Sequence, residues 1–210
     1  MPEVYKKGIW KRSVRLDSEK LVPIGLYSIG SIQEPKIEIQ YFGEPLSPNE
    51  KVNLTEKLDK IFSFSQDLTE LYHFVEKNKE IADLKNRFMG LKAAGFGVTV
   101  FECFIKSIIQ QQISIKVAYS ITNKIVTRFG DHIEVEDKIF YDFPTPEKFN
   151  AISQEEIRNC GVSWRKAKTI KEIAQKVVNN EFDVEGLVLL SNEEVSEALK
   201  QFHGVGTWTA

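Results

Sequence analysis

The stretch that most constrains this chain is its last: Leu199-Lys200-Gln201-Phe202-His203-Gly204-Val205-Gly206-Thr207-Trp208-Thr209-Ala210. Two glycines around one apolar residue, directly after an amphipathic segment, read as helix, tight turn, helix. Ser191 stands as the N-cap of the first helix, and Glu193 and Glu194 fill its first turn, where the macrodipole favours acid. Val195, Ala198 and Leu199 then recur at helical spacing. Thr207 is placed to cap the second helix. Glycine tolerates the positive φ of a sharp turn and lets another backbone approach without a Cβ in the way. The amides of Gly204, Val205 and Gly206, with those of the next helix start, would converge outward as an anion site suited to a nucleic-acid phosphate. The same G-x-G also serves ordinary turns, so these glycines do not identify a ligand by themselves.

At 210 residues and 24.1 kDa the chain has room for one large or two small domains and a proper core. Its net charge of −2 and pI near 6.0 argue against a broadly basic nucleic-acid coat, though a local phosphate site can coexist with an acidic far surface. Cys103 and Cys160 are far apart and form no C-x-x-C, which suggests neither zinc nor a disulfide framework. No apolar run is long enough to span a bilayer, and the N-terminus lacks a signal-peptide core. The expectation is a cytoplasmic monomer.

Residues 1 to about 46 read as β structure: Tyr5 to Leu16 and Lys36 to Phe42 alternate apolar and polar, with Pro23, Gly25, Gly30 and Pro35 as punctuation. Ser47 followed by Pro48 signals a helix start, continued by the stripe Leu54, Leu58, Ile61 and Phe62. Further helices are predicted over Leu68 to Glu76 and Lys79 to Arg87. The aromatics Trp10, Phe62, Phe64, Tyr72 and Phe74, and His73 among them, read as core.

After Gly95-Phe96-Gly97 a stronger helical pattern begins. Phe101, Phe104, Ile105, Ile108 and Ile109 form one stripe that ends at Gln110-Gln111-Gln112. Ser114 caps a second helix with Val117, Ile121, Ile125 and Val126 inward, closed by Gly130. Asp131 to Phe143 reads as a loop. Thr145-Pro146, Ser153 with Glu156, and Ser163 each open a further helix; the last runs to Asn179 and carries Arg165, Lys166 and Lys168 in its first turns. Cations there oppose the dipole, which suggests a phosphate or acidic partner.

The string Leu-x-x-Phe-His-Gly-Val-Gly-Thr-Trp-Thr-Ala resembles the hairpin of the helix-hairpin-helix DNA glycosylases, with His203 where proline is usual. Phe101-x-x-x-Ile105-x-x-Ile108-Ile109-Gln110-Gln111-Gln112-Ile113-Ser114, Phe143-Pro-Thr-Pro-Glu147 and Gly161-Val-x-x-Arg-Lys-Ala-x-x-Ile170 follow the same family's order, most like its 3-methyladenine DNA glycosylase II (AlkA-like) branch. The resemblance runs from about Phe101 to Ala210.

It implies an α+β fold: an N-terminal antiparallel sheet with helices, similar to the TATA-binding-protein layer, over residues 1–78, a connecting helix and linker over 79–97, and an all-α helix-hairpin-helix domain over 98–210. It implies a DNA-associated hydrolase that flips alkylated purines such as 3-methyladenine out of double-stranded DNA and cuts the N-glycosidic bond. Gln112 would be the wedge filling the vacated stack, Gln111 and Trp208 would lie at the base pocket, and Gly204, Val205, Gly206 and Thr207 would hold the DNA backbone. An indole face attracts a cationic base. Bifunctional relatives carry a lysine where Trp208 stands, and an indole cannot form a Schiff base, so the enzyme would be monofunctional.

The resemblance puts the catalytic aspartate beyond Ala210, so no residue of this chain is expected to be catalytic. Release of a methylated purine by these 210 residues alone would contradict that. No cofactor is expected beyond a structural Na⁺ or K⁺ held by the carbonyls of Lys200, Phe202 and Val205. A non-catalytic DNA-binding module, a glycosylase for other damaged bases and a protein-interaction scaffold are the competing readings.

Overall fold

The computed structural model describes residues 3–78, 80–93, 95–207 and 209. Its first layer is an antiparallel sheet of β1 (Glu3–Lys6), β2 (Ile9–Arg15), β3 (Leu21–Ser28) and β4 (Ile37–Tyr41), in that order. Lys7 and Gly8 both have positive φ, the two-residue turn that matches strand twist, and they close the β1–β2 hairpin. Strand β3 contains the two residues expected to punctuate, Pro23 and Gly25. Proline is tolerated there because its missing N–H faces the end of β4, where its carbonyl accepts from Phe42 N–H.

Trp10, Val14, Val22, Ile24 and Leu26 point to one side of the sheet and bury against α1 (Pro48–Phe62) through Leu54, Leu58 and Ile61. Ser47 caps α1 in a full capping box with Glu50. Trp10 meets Phe62 edge-on, their centroids 4.9 Å apart, and Phe64 stacks on Phe62. Two short helices follow, α2 (Thr69–Lys77) and α3 (Ala82–Phe88). Here the expected core is absent: Phe74 and His73 are exposed, with His73 beside Glu76.

The helical half is built around α4 (Val100–Gln110), whose stripe Phe101, Phe104, Ile105, Ile108 and Ile109 is fully covered. Beyond it come α5 (Ile115–Phe129), the strands β5 (His132–Val135) and β6 (Lys138–Tyr141), then α6 (Pro146–Ala151), α7 (Gln154–Asn159) and α8 (Trp164–Val178). A 3₁₀ turn over Glu185–Leu189 leads to α9 (Asn192–Lys200). Ser114, Thr145, Ser153, Ser163 and Ser191 all accept from the backbone N–H three residues on, as their positions in the chain predicted. Val117 departs from the pattern: α5 packs through Ala118, Ile121, Ile125 and Val126, which leaves Val117 exposed.

Residues 131–143 are a β-hairpin, not a loop. Its turn is Glu136-Asp137, both at positive φ without a glycine, so the usual turn signal is missing from the sequence. The hairpin's gain is tertiary. It lies against the outer face of the first sheet, where Ser13 donates to the Tyr141 carbonyl at 2.5 Å and Arg15 pairs with Asp131 at 2.8 Å and Asp142 at 2.9 Å.

A second tie crosses the layers inside. Arg12, 3% exposed, reaches Glu102 of α4 with two parallel bonds of 3.2 Å, and Lys106 adds a contact of 2.6 Å. Val98 N–H completes the carboxylate's shell at 2.9 Å. Glu102 is therefore a structural anion, and it takes no part in the lining of the cleft between the α4–α5 loop, the start of α8 and the turn after α9. No helix among the described residues is long and apolar enough to cross a membrane.

Candidate nucleic-acid interface

Three segments far apart in sequence meet at one open cleft of about 620 Å³: the α4–α5 loop, the start of α8, and the turn after α9. Gln111, Gln112, Gly204, Val205 and Gly206 all line it, joined by Arg165, Lys166 and His203. Thr207 lies just outside the lining and is exposed, and Trp208 falls outside the described residues.

The turn is anchored from below. Phe202, 1% exposed, sits between Phe104 and Phe182 at centroid distances of 5.7 and 5.0 Å. Gly204 has φ +83, a conformation that disfavours every side chain, and this reverses the chain immediately after His203. The expectation that all the hairpin amides point outward needs one correction. Val205 is buried and its N–H turns back to the Phe202 carbonyl at 3.1 Å, because its side chain is drawn into the core beneath. The amides of Gly204, Gly206 and Thr207 have no acceptor among the described residues, and all three residues are exposed. Beyond them Thr209 N–H closes one turn onto the Gly206 carbonyl.

Gly206 differs from Gly204 in a way that bears on function. Its φ lies outside the left-handed region, and a Cβ built on it meets no atom within 4 Å. Among the described residues nothing requires glycine at that position.

Gln111 and Gln112 part company at the end of α4. The Gln111 amide donates to the Gly204 carbonyl at 3.1 Å and to the Thr209 hydroxyl at 3.0 Å, so it ties the loop to the turn. Gln112 is exposed at φ +56, a strained conformation for a side-chain-bearing residue. Gln112 is thus exposed where it lines the cleft.

The cations of α8 split into two roles. Lys166 donates to the carbonyls of Ile109 at 2.9 Å and Gln111 at 2.6 Å, so it caps the C-terminal end of α4. Burial pushes its ammonium below the ordinary lysine value. At the opposite end of α4 the Glu185 carboxylate takes the amides of Val100 and Phe101, so both poles of this helix are satisfied by remote charges. Arg165 is exposed and donates Nε–H to His203 Nε2 at 3.0 Å, while Thr169 holds the His203 carbonyl at 2.8 Å. The Arg165 Nε lies 3.5 Å from where a Gly204 Cβ would sit. Its terminal N–H groups are thus held beside the turn that carries the free amides. The sequence marked Arg165 as an unexplained cation but contained no sign of its histidine partner.

The Lys166 cap gives a direct test. Lys166→Ala is expected to cost roughly 1–2 kcal/mol, read as a lower urea midpoint, because two helix-end carbonyls lose a charged donor.

No Asp or Glu lines this cleft among the described residues. The carbonyls of Lys200 and Phe202 lie at the C-terminal end of α9, where they lack intrahelical donors; Phe202 accepts only from Val205. A set of main-chain oxygens at the negative pole of a helix suits a monovalent cation.

Comparison with known proteins fits this geometry. A 3-methyladenine DNA glycosylase from Archaeoglobus fulgidus superposes with a TM-score of 0.85 at 37% identity, over 99% of this chain and 67% of that one. A Bacillus subtilis protein named DNA-3-methyladenine glycosylase is 24% identical over 91% of this chain and 65% of its own length. A Schizosaccharomyces pombe protein named DNA-3-methyladenine glycosylase 1 is 34% identical over 52% of this chain and 44% of its own. An 8-oxoguanine glycosylase/lyase from Clostridium acetobutylicum, at 20% identity and TM-score 0.73, shares the fold. The chain spans about two thirds of the length of the Bacillus and Archaeoglobus relatives. With residues 105–209 matching the family model and the whole chain following the Archaeoglobus structure, the protein belongs to the HhH-GPD superfamily of base excision DNA repair proteins.

Proposed function

We propose that this chain grips and opens damaged double-stranded DNA as part of a monofunctional glycosylase that removes alkylated purines. The observation that carries the reading is the set of exposed amides at Gly204, Gly206 and Thr207 that no acceptor among the described residues engages, with no described atom requiring glycine at 206. A backbone phosphate satisfies all three donors without reading sequence. The terminal N–H groups of Arg165, oriented by His203, would take a second phosphate oxygen. A Na⁺ or K⁺ held by the Lys200, Phe202 and Val205 carbonyls would add positive charge at the same phosphate.

Gln112 then enters the stack as the target nucleotide leaves, and its amide can hydrogen-bond the orphaned partner base. Backbone strain at φ +56 is consistent with that role, since such conformations cluster at functional sites. Gln111 acts behind it by fixing the distance between wedge and hairpin. Trp208, in place of a nucleophilic lysine, supports hydrolysis over lyase chemistry and offers an electron-rich face to a cationic base. The lesion class also rests on the names of the 3-methyladenine relatives.

The test is fluorescence anisotropy with a duplex carrying an abasic-site analogue, titrated at several salt concentrations. Affinity is expected to exceed that for the undamaged duplex and to fall linearly on a log–log salt plot. Arg165→Ala should reduce that slope by about one phosphate's worth, and His203→Gln, which keeps an acceptor, should spare more of it than His203→Ala. Affinity that ignores salt and lesion alike would overturn the assignment.

A further inference from the structure

A second cleft, of about 320 Å³, lies on the first sheet and shares no residue with the hairpin cleft. Its origin is topological. The outer face of β2 carries Ile9, Lys11, Ser13 and Arg15 in alternation, and the β5–β6 hairpin covers only the Ser13 and Arg15 end. Between the two hairpins Ile9, Ile139 and Phe140 line an apolar floor, in which Ile139 is exposed and Phe140 is buried with Phe42 stacked on it at 5.7 Å. Opposite Lys11 across the sheet stands Gly25, over which the Tyr27 ring lies, 3.1 Å from where a Cβ would sit.

The rim is cationic. Lys6 and Lys7 come from the end of β1 and its turn, Lys11 from β2 and Lys138 from β6. Lys138 has a distant partner in Glu136 at 3.8 Å, and Lys11 rests over the Phe42 ring at 5.6 Å. No carboxylate pairs with Lys6, Lys7 or Lys11 among the described residues, and none lines the cleft. Four lysines around one apolar trough stand out on a chain of net charge −2.

We propose that this trough binds an acidic peptide segment of a partner protein, seating one apolar side chain on Ile139 and Phe140 while carboxylates meet the lysine rim. A duplex backbone would use the charges but gain nothing from the apolar floor, and its phosphates are better served by amides like those of the other cleft. An amphipathic acidic peptide uses both features, and the volume suits one large side chain with its flanking residues.

The experiment titrates the whole chain with a short synthetic peptide of aspartate and glutamate carrying one central phenylalanine, by isothermal calorimetry at low salt. Saturable binding is expected, weakened about tenfold or more by Lys11→Glu with Lys138→Glu, and likewise when the phenylalanine is replaced by serine. Lys11→Gln with Lys138→Gln should give a smaller loss, and unchanged thermal midpoints establish that all variants fold. Gly206→Asp should leave peptide binding intact, which separates this site from the hairpin cleft. Equal binding of the serine peptide, or no binding at all, overturns the proposal. So does a result in which the lysine variants weaken only duplex DNA, since the surface would then be an extension of the nucleic-acid footprint.

Discussion

The Gly206→Asp substitution is expected to lower affinity for duplex DNA about tenfold or more, at least ~1.4 kcal/mol, while leaving the thermal midpoint nearly unchanged. The separation of the two effects is the point of the experiment. A Cβ at position 206 meets no atom within 4 Å, and the backbone there does not need positive φ. Folding should therefore tolerate a side chain. The added carboxylate, however, sits among the free amides of the turn, where it can satisfy them itself and repel a phosphate. Gly206→Ala should give a smaller loss of binding, since it adds bulk without charge. Gly204→Ala is the contrasting control: at φ +83 it is expected to cost about 1 kcal/mol of stability before any ligand is considered. DNA affinity untouched by Gly206→Asp, or lost only in step with stability, would mean that the hairpin does not hold phosphate.

The largest stability effect is expected at Glu102. Glu102→Ala should destabilise the fold by about 3–5 kcal/mol, because buried Arg12 loses its bidentate partner and keeps only the more distant Asp142, 4.0 Å away. Only 3% of Arg12 is exposed, so the guanidinium is poorly hydrated in the fold. Joint replacement by Arg12→Met and Glu102→Leu should recover most of the loss, as apolar pairs of similar volume often do. Urea unfolding of the three proteins would establish this, and an additive double mutant would show that the pair does not interact.

The same carboxylate sets an acid limit. Burial works against its ionisation, but Arg12 and Lys106 overcome that and hold it at about 2, below the ordinary 4.5. A folded-state value below the unfolded one stabilises the native state in full above about 4.5, and that contribution is lost as pH falls toward about 2. The wild type should therefore weaken progressively across this window. Glu102→Gln, already without the charge, should be flatter there. Asp142 leans the other way: burial raises its carboxyl despite Arg12 and Arg15, so its protonation partly offsets the acid loss.

Local signals carried most of the helical half. Six helix starts were legible because an N-cap hydroxyl bonds the amide three residues later, a contact contained within four consecutive residues: Ser47, Ser114, Thr145, Ser153, Ser163 and Ser191 all behave so, whereas α2 and α3 start at Leu68 and Ile81 without a side-chain cap. The apolar stripe of α4 was legible for the same reason, since its period follows from helix geometry alone. Strand β3 was obscured by Pro23 and Gly25, whose tolerance depends on where β4 stops and on what faces Lys11. The β5–β6 hairpin was hidden because Glu136-Asp137 is a poor turn sequence, made acceptable by packing on Ser13 and Arg15.

By itself the sequence determined the elements, their caps and the glycine turn, because these are written in contacts between near neighbours. Tertiary structure decided which groups stayed free to act. It turned the Val205 amide inward, assigned Lys166 to a helix end and gave Arg165 to His203. It also locked Glu102 onto Arg12, ninety residues away. The physical reason is one of competition. A donor or charge is available to a ligand only when no partner within the fold takes it first, and those partners are brought together by packing over distances that no local pattern records.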